Sequence, residues 1–238
     1  MAHIDQHTKS ILCLAHSRRP SGRCVAGKEC LNSKLGRWIR PVSARDSHEI
    51  SNLDMVYQDN QPSCLLDIIN IVMVKPNPHF YHSENYIIDD QFYWTKVGQA
   101  TWPQVVDATD NLNGPLWING NSSRRGLNDK VSEELANDLQ NSLYLISPQT
   151  LSLKVVTEPK WGGGTERRVR AIFTYNDAQY NFVVTDPWIE AKYLAGNDGL
   201  YQIPKSRLCI SLSELIGGHA IKLVASVITP DRIGQNNA

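Results

Sequence analysis

Apolar positions along the chain come in short runs, punctuated by polar stretches rich in glycine, proline, asparagine and aspartate. That is the pattern of a β-rich protein. In the N-terminal half, "ILCLAH" (Ile11–His16), "RCVAG" (Arg23–Gly27) and "RWIRPV" (Arg37–Val42) read as short strands around basic loops. "CLLDIINIVMV" (Cys64–Val74) is a longer β-branched run suited to a central strand, bent or bulged midway and ended by Pro76 and Pro78. Val131, Leu135, Leu139 and Leu143 recur every four residues, which predicts a helix over Asp129–Leu143 with Asp129 as its cap.

The last ninety residues are the most regular. Strands are predicted at Leu151–Glu158, Arg167–Tyr175 and Tyr180–Asp186, the last two joined by the hairpin turn "NDAQ". Asp186–Pro187 then opens a helix that Gly196 ends, and strands follow at Arg207–Ser213 and His219–Thr229. Three strands, a helix and two strands is the order of a five-stranded OB barrel, which binds ligands with its second and third strands and two of its loops. In this half those loops are "KWGGGTE" and "ELIGGHA". The N-terminal half fits a second barrel less cleanly, and no close internal repeat is visible. The expected fold is mainly β with minor α: two OB-like five-stranded barrels in tandem. The boundary is placed at Pro148, giving an N-terminal domain with a helical extension over 8–147 and a C-terminal domain over 148–230.

Composition alters this picture little: 238 residues, 41% hydrophobic, with 24 basic and 24 acidic side chains. The five cysteines are odd in number and lack framework spacing, which predicts reduced thiols and a cytoplasmic, bacterial-type protein. The polar start lacks the apolar core of a signal peptide, and no run is long enough to span a membrane. Charge, however, is segregated. Lys9–Arg45 holds nine basic residues and one acid, whereas Asp46–Asp110 holds ten acids and two lysines. Such blocks are either faces that balance each other or a patch meant for an anion.

Three pieces read together carry a family resemblance: Ser17–Ser43 with "SRRPSGRCVAGKE" and "GRWIRPVS", "TDPWIE" (Thr185–Glu190), and "HAIKLVASVI" (His219–Ile228). Over roughly Ser10 to Thr229 the chain resembles the bacterial dual OB-containing domain family. The resemblance implies a nucleic-acid- or nucleotide-binding module, often placed near conflict or defence systems, and brings no catalytic residues with it.

Candidate binding residues follow from chemistry. In the first half they are Arg18, Arg19, Arg23, Lys28, Arg37, Trp38 and Arg40. Arginine forks match phosphate oxygens, Gly22 and Gly27 would let a phosphate approach the backbone, and Trp38 beside Arg40 makes a base-stacking platform. The alternative is a core Trp38 with arginines paired to the acidic block. In the second half, Trp161 would stack a base while Lys160, Arg167 and Arg168 neutralise phosphates, against the alternative of a flexible hairpin. His219 and Lys222 lie near the other loop, and Arg124–Arg125 reads as a solvated turn.

No metal is expected, because Cys13, His16, Cys24 and Cys30 lack the paired spacing of zinc knuckles. No cofactor is expected, and no nucleophile elbow, zincin motif or Walker sequence argues for catalysis. The partners expected are nucleic acid or a nucleotide, and no membrane. Two other classes stay open: a nucleotide sensor with its pocket between the barrels, and a protein-interaction adaptor.

Overall fold

The first apolar runs form β1 (His7–Arg18), β2 (Arg23–Leu31) and β3 (Lys34–Val42) in a computed structural model that describes residues 7–18, 22–31, 34–160 and 163–235. The chain divides into two compact units. The first comprises residues 1–108 with 140–142 and 231–238; the second comprises 109–139 and 143–230.

Unit 1 continues with β4 (Asp67–Pro76), β5 (Asn85–Ile88), β6 (Thr95–Gln99) and the short helix α1 (Trp102–Asp107). Its sheet runs β1-β2-β3-β5-β4-β6, and β1 also pairs with β4. The first half of β1 lies against β4 and the second half against β2, with an irregularity at Cys13/Ala15 that turns the strand. The path β1-β2-β3-β5-β4 therefore returns to β1, with β3 and β5 parallel. This half, which fitted a barrel poorly by sequence, has the closed ring of pairings. The long run forms β4 as expected, with register shifts near both ends. Ile11 faces Ile69 across the ladder, and Cys13, Ile39, Ile71 and Met73 join them in the core.

Unit 2 contains β7 (Lys130–Ser132), the single turn α2 (Glu133–Ala136), β8 (Leu143–Ile146), β9 (Thr150–Pro159), β10 (Thr165–Tyr175) and β11 (Ala178–Val184). Then come α3 (Pro187–Leu194), β12 (Gly199–Gln202), β13 (Arg207–Ile216) and β14 (His219–Ile228). The order is β12-β9-β10-β11-β14-β13-β8, with β11 and β14 parallel. Thus β8 on β13 and β9 on β10 divide the work that β1 performs alone in unit 1. Pro148 lies in the gap between β8 and β9. It breaks a strand inside unit 2, which begins at Thr109, so the sequence-based boundary at Pro148 does not coincide with the division of the structure.

The helix expected over Asp129–Leu143 is not there. Pairing captures its start instead: Val131 sits opposite Ala220, and the Glu133 N–H donates to Gly218 O at 2.9 Å. Leu135 is exposed, so the four-residue spacing marks no buried face. Asp129 accepts from the Ser123 N–H (2.6 Å) and hydroxyl (2.5 Å) rather than capping a helix. The second helix is where Asp186–Pro187 placed it. Asp186 Oδ1 accepts from the N–H groups of Trp188 (3.1 Å) and Ile189 (3.3 Å), and Oδ2 accepts from Val227 (3.0 Å), tying α3 to β14. Among the described residues, no helix is long and apolar enough to cross a membrane.

Candidate functional site

In unit 1 the register across three strands sets Leu12 opposite Lys28 and Lys28 opposite Trp38. The next row sets Cys13, Gly27 and Ile39 side by side, and Cys13 and Ile39 are core residues. Since neighbouring rows point to opposite faces, Lys28 and Trp38 lie on the outer face of β2–β3. Both are half-buried, and the Lys28 ammonium stands 5.7 Å from the Trp38 ring centroid. Arg18 is exposed at the end of β1, directly opposite Arg23.

The glycines of this region serve the backbone rather than a phosphate. A Cβ on Gly27 would stand 2.1 Å from Leu12 O, and one on Gly22 would stand 2.3 Å from Ile50 O. Close strand approach fills the space that the sequence reading had given to a ligand. Beside Gly22, the Arg23 N–H donates to Ile50 O at 2.9 Å, and Arg23 Nε is buried without a partner.

The other predicted residues of this half divide. Arg37 donates to the Tyr86 hydroxyl, lies 5.3 Å from that ring, and has Nε 3.6 Å from Glu29, which also pairs with Lys9 at 2.6 Å. Its side chain is nonetheless 64% exposed, so a ligand can reach it. Arg40 is a core residue at 3% exposure. Its Nη1 lies 2.6 Å from His82 Nδ1 and its Nη2 3.3 Å from Glu84, which also accepts from the Ser142 hydroxyl. Arg40 is therefore not the exposed cation expected beside Trp38; its burial fastens β3 to the loop before β5. Arg19 lies outside the described residues.

Most cations predicted in unit 2 are occupied. Arg167 closes the end of α3, donating from Nη1 to Leu194 O (2.7 Å) and from Nη2 to Gly196 O (2.8 Å) while Nε meets Asp198 at 2.9 Å. Arg168 pairs with Glu166, its Nε at 2.6 Å. Lys222 is fully buried, with Nζ donating to Ile118 O at 2.7 Å. Burial pushes its pKa down to about 7 against the opposing pull of Asp129. At 0% exposure its ammonium is turned to Ile118 O inside the unit rather than presented at the surface to a phosphate. His219 has Nδ1 3.1 Å from Gly217 O in the β13–β14 turn. Lys160 is exposed beside the β9–β10 hairpin, and Trp161 lies outside the described residues.

The structure adds aromatic groups that the sequence reading passed over. Phe80, in the loop between β4 and β5, is 67% exposed with φ +49°, a backbone conformation that a bulky residue adopts only when its surroundings impose it. His79 lies 4.5 Å from the Phe80 ring and 6.2 Å from the His48 ring, edge to face in both cases. Arg40, through His82 and Glu84, holds the same loop against β3. The signal was present in "KPNPHFYHSE", where aromatic and histidine residues follow two prolines.

The sequence model of one family, described as the dual OB-containing domain, matches residues 9–227. No curated protein and no solved structure matches the chain.

Proposed function

We propose, from the premise that the chain belongs to the dual OB-containing domain family, that it is a non-catalytic module binding nucleic acid through the outer β2–β3 face of unit 1. The observation that carries this reading is the Lys28–Trp38 pair, a half-buried aromatic with an ammonium 5.7 Å from its ring centroid. The pair lies on the strand pair that OB folds use for ligands. A base stacks on the exposed part of such a ring, and the ammonium sits where a neighbouring phosphate passes. Arg18 at the end of β1 and Arg37, which alternation turns to the other side of β3 from Trp38, are further exposed cations of unit 1, and the His79–Phe80 loop offers further ring faces.

Salt dependence tests the reading. A track that contacts several phosphates releases counterions, so log affinity for single strands falls with log salt by about 0.7 per phosphate contacted. A steep slope with weak competition by mononucleotides is the expected result. A shallow slope with strong mononucleotide competition would overturn the reading in favour of a small-ligand sensor.

A further inference from the structure

At one end of unit 1 the inner side of the strands changes from apolar to charged. Lys9 stands two residues before the core residue Ile11, on the same side of β1 and opposite Ile71, while Glu29 on β2 stands opposite Ile11 itself. Arg37 alternates with Trp38 and so shares the inner side of β3 with Ile39. These side chains meet around the buried Tyr86. Lys9 Nζ lies 2.6 Å from Glu29 and 5.0 Å from the Tyr86 ring centroid. Arg37 donates from Nη2 to the Tyr86 hydroxyl, and its guanidinium lies 5.3 Å from that ring.

Lys9 and Glu29 are nearly buried, whereas the Arg37 side chain is mostly exposed. Glu29 is closer to Lys9 than to Arg37 Nε, at 2.6 against 3.6 Å, so the charge left over belongs to Arg37. Tyr86 and Glu29 orient two of its nitrogens, which leaves a fixed fork open to solvent. Register brings the start of β1, the end of β2, the start of β3 and the end of β4 to this same end: Met73 lies opposite His7, Lys34 opposite Leu31, and Pro76 opposite Tyr86. Exposed Lys34 and Lys75 stand there too, and among residues 7–9, 29–31, 34–37, 73–76 and 85–86 the one acid is Glu29. Such an end attracts an anion of more than one charge.

We propose that this end of unit 1 holds the terminal phosphate of a single strand whose bases lie on the outer β2–β3 face, with Arg37 as the phosphate's ligand. The inference rests on the nucleic-acid reading and adds to it the recognition of a phosphorylated end. A phosphate monoester carries about −1.5 to −2 near neutral pH, against a single charge on an internal phosphodiester, and its oxygens match an arginine fork. Trp38 and Arg37 are neighbours on opposite sides of β3, so a strand that continues along the outer face passes Arg37 by, whereas a strand that ends there can turn in to it. Fluorescence anisotropy tests this with one internally labelled single strand carrying a 5′-phosphate, a 3′-phosphate or hydroxyls at both ends. One of the two phosphorylated forms should bind about tenfold tighter than the hydroxyl form. Arg37→Gln should bring that form down to the hydroxyl-ended strand, while Lys28→Ala/Trp38→Ala weakens all three and keeps their ratio. Equal affinity for the three strands, or a preference that survives Arg37→Gln, overturns the terminal-phosphate site and leaves the β2–β3 reading standing. A mononucleotide that binds as tightly as the phosphorylated strand also overturns it, by assigning the phosphate to a free nucleotide. Binding of none of the three by the folded wild type overturns both.

Discussion

His16 shows at the residue scale how burial sets chemistry. It packs inside β1 at 3% exposure with neither ring nitrogen partnered, and burial first, then the charge of Arg23, push its pKa down to about 4. Its ordinary value is 6.5, so between these limits the unfolded chain binds the proton more strongly. Its contribution to stability is whole above about pH 6.5, falls as the pH drops to about 4, and changes no further below that. Urea unfolding across this window should show a steeper acid loss for the wild type than for His16→Leu; equal slopes would contradict the account. Lys222 has the same sign in a higher window. With a folded pKa near 7 against an ordinary 10.5, it makes stability rise with pH between those values, and Lys222→Met should flatten the rise. For Arg40, replacement by Met leaves the Glu84 carboxylate buried without its cation, and chemical denaturation should report a loss of about 3–5 kcal/mol. None of these roles was legible locally. "GRWIRPV" shows the alternation of β3, but the partners that bury Arg40 lie more than forty residues away in the chain, at His82 and Glu84.

Elements whose signals are local were legible. Asp186–Pro187 specified α3 because the cap and the first-turn proline act within three residues. Asn176 and Asp177, both at positive φ, form the β10–β11 turn that "NDAQ" announced. The failure at Asp129–Leu143 has the complementary cause: β14, far along the chain, offers that segment a strand partner that its own periodicity cannot register. Arg167, expected as a phosphate ligand, instead holds the carbonyls of Leu194 and Gly196 at the end of α3, partners that follow it by more than twenty residues and that its own strand cannot register. Arg167→Ala should lower stability by about 1 kcal/mol in thermal or urea unfolding and leave nucleic-acid affinity unchanged. A large loss of affinity would return Arg167 to the binding surface.

Across the whole molecule, the segregation of charge has two outcomes. Part of the basic block is neutralised inside unit 1, since Arg40 meets Glu84 and Arg45 meets Asp54 of the acidic block. These pairs realise the balanced-surface alternative. Lys28 and Trp38 instead remain half-exposed on the outer face of two paired strands. Mainly β architecture was legible because strand length and turn chemistry recur along most of the chain, and the dual OB family through the resemblance carried by Ser17–Ser43, Thr185–Glu190 and His219–Ile228. Which cations reach solvent was not, because that depends on pairings between distant segments.

The most direct test of the central claim is fluorescence anisotropy with labelled single-stranded DNA and RNA at physiological salt. It compares the wild type with Lys28→Ala/Trp38→Ala and with Arg167→Ala/Arg168→Ala. The account predicts that the first pair lowers affinity by about tenfold or more, one stacked base being worth about 1–3 kcal/mol, while the second pair leaves it near the wild-type value. Binding that ignores the first pair and is lost with the second, or no binding by the folded wild type, would contradict it.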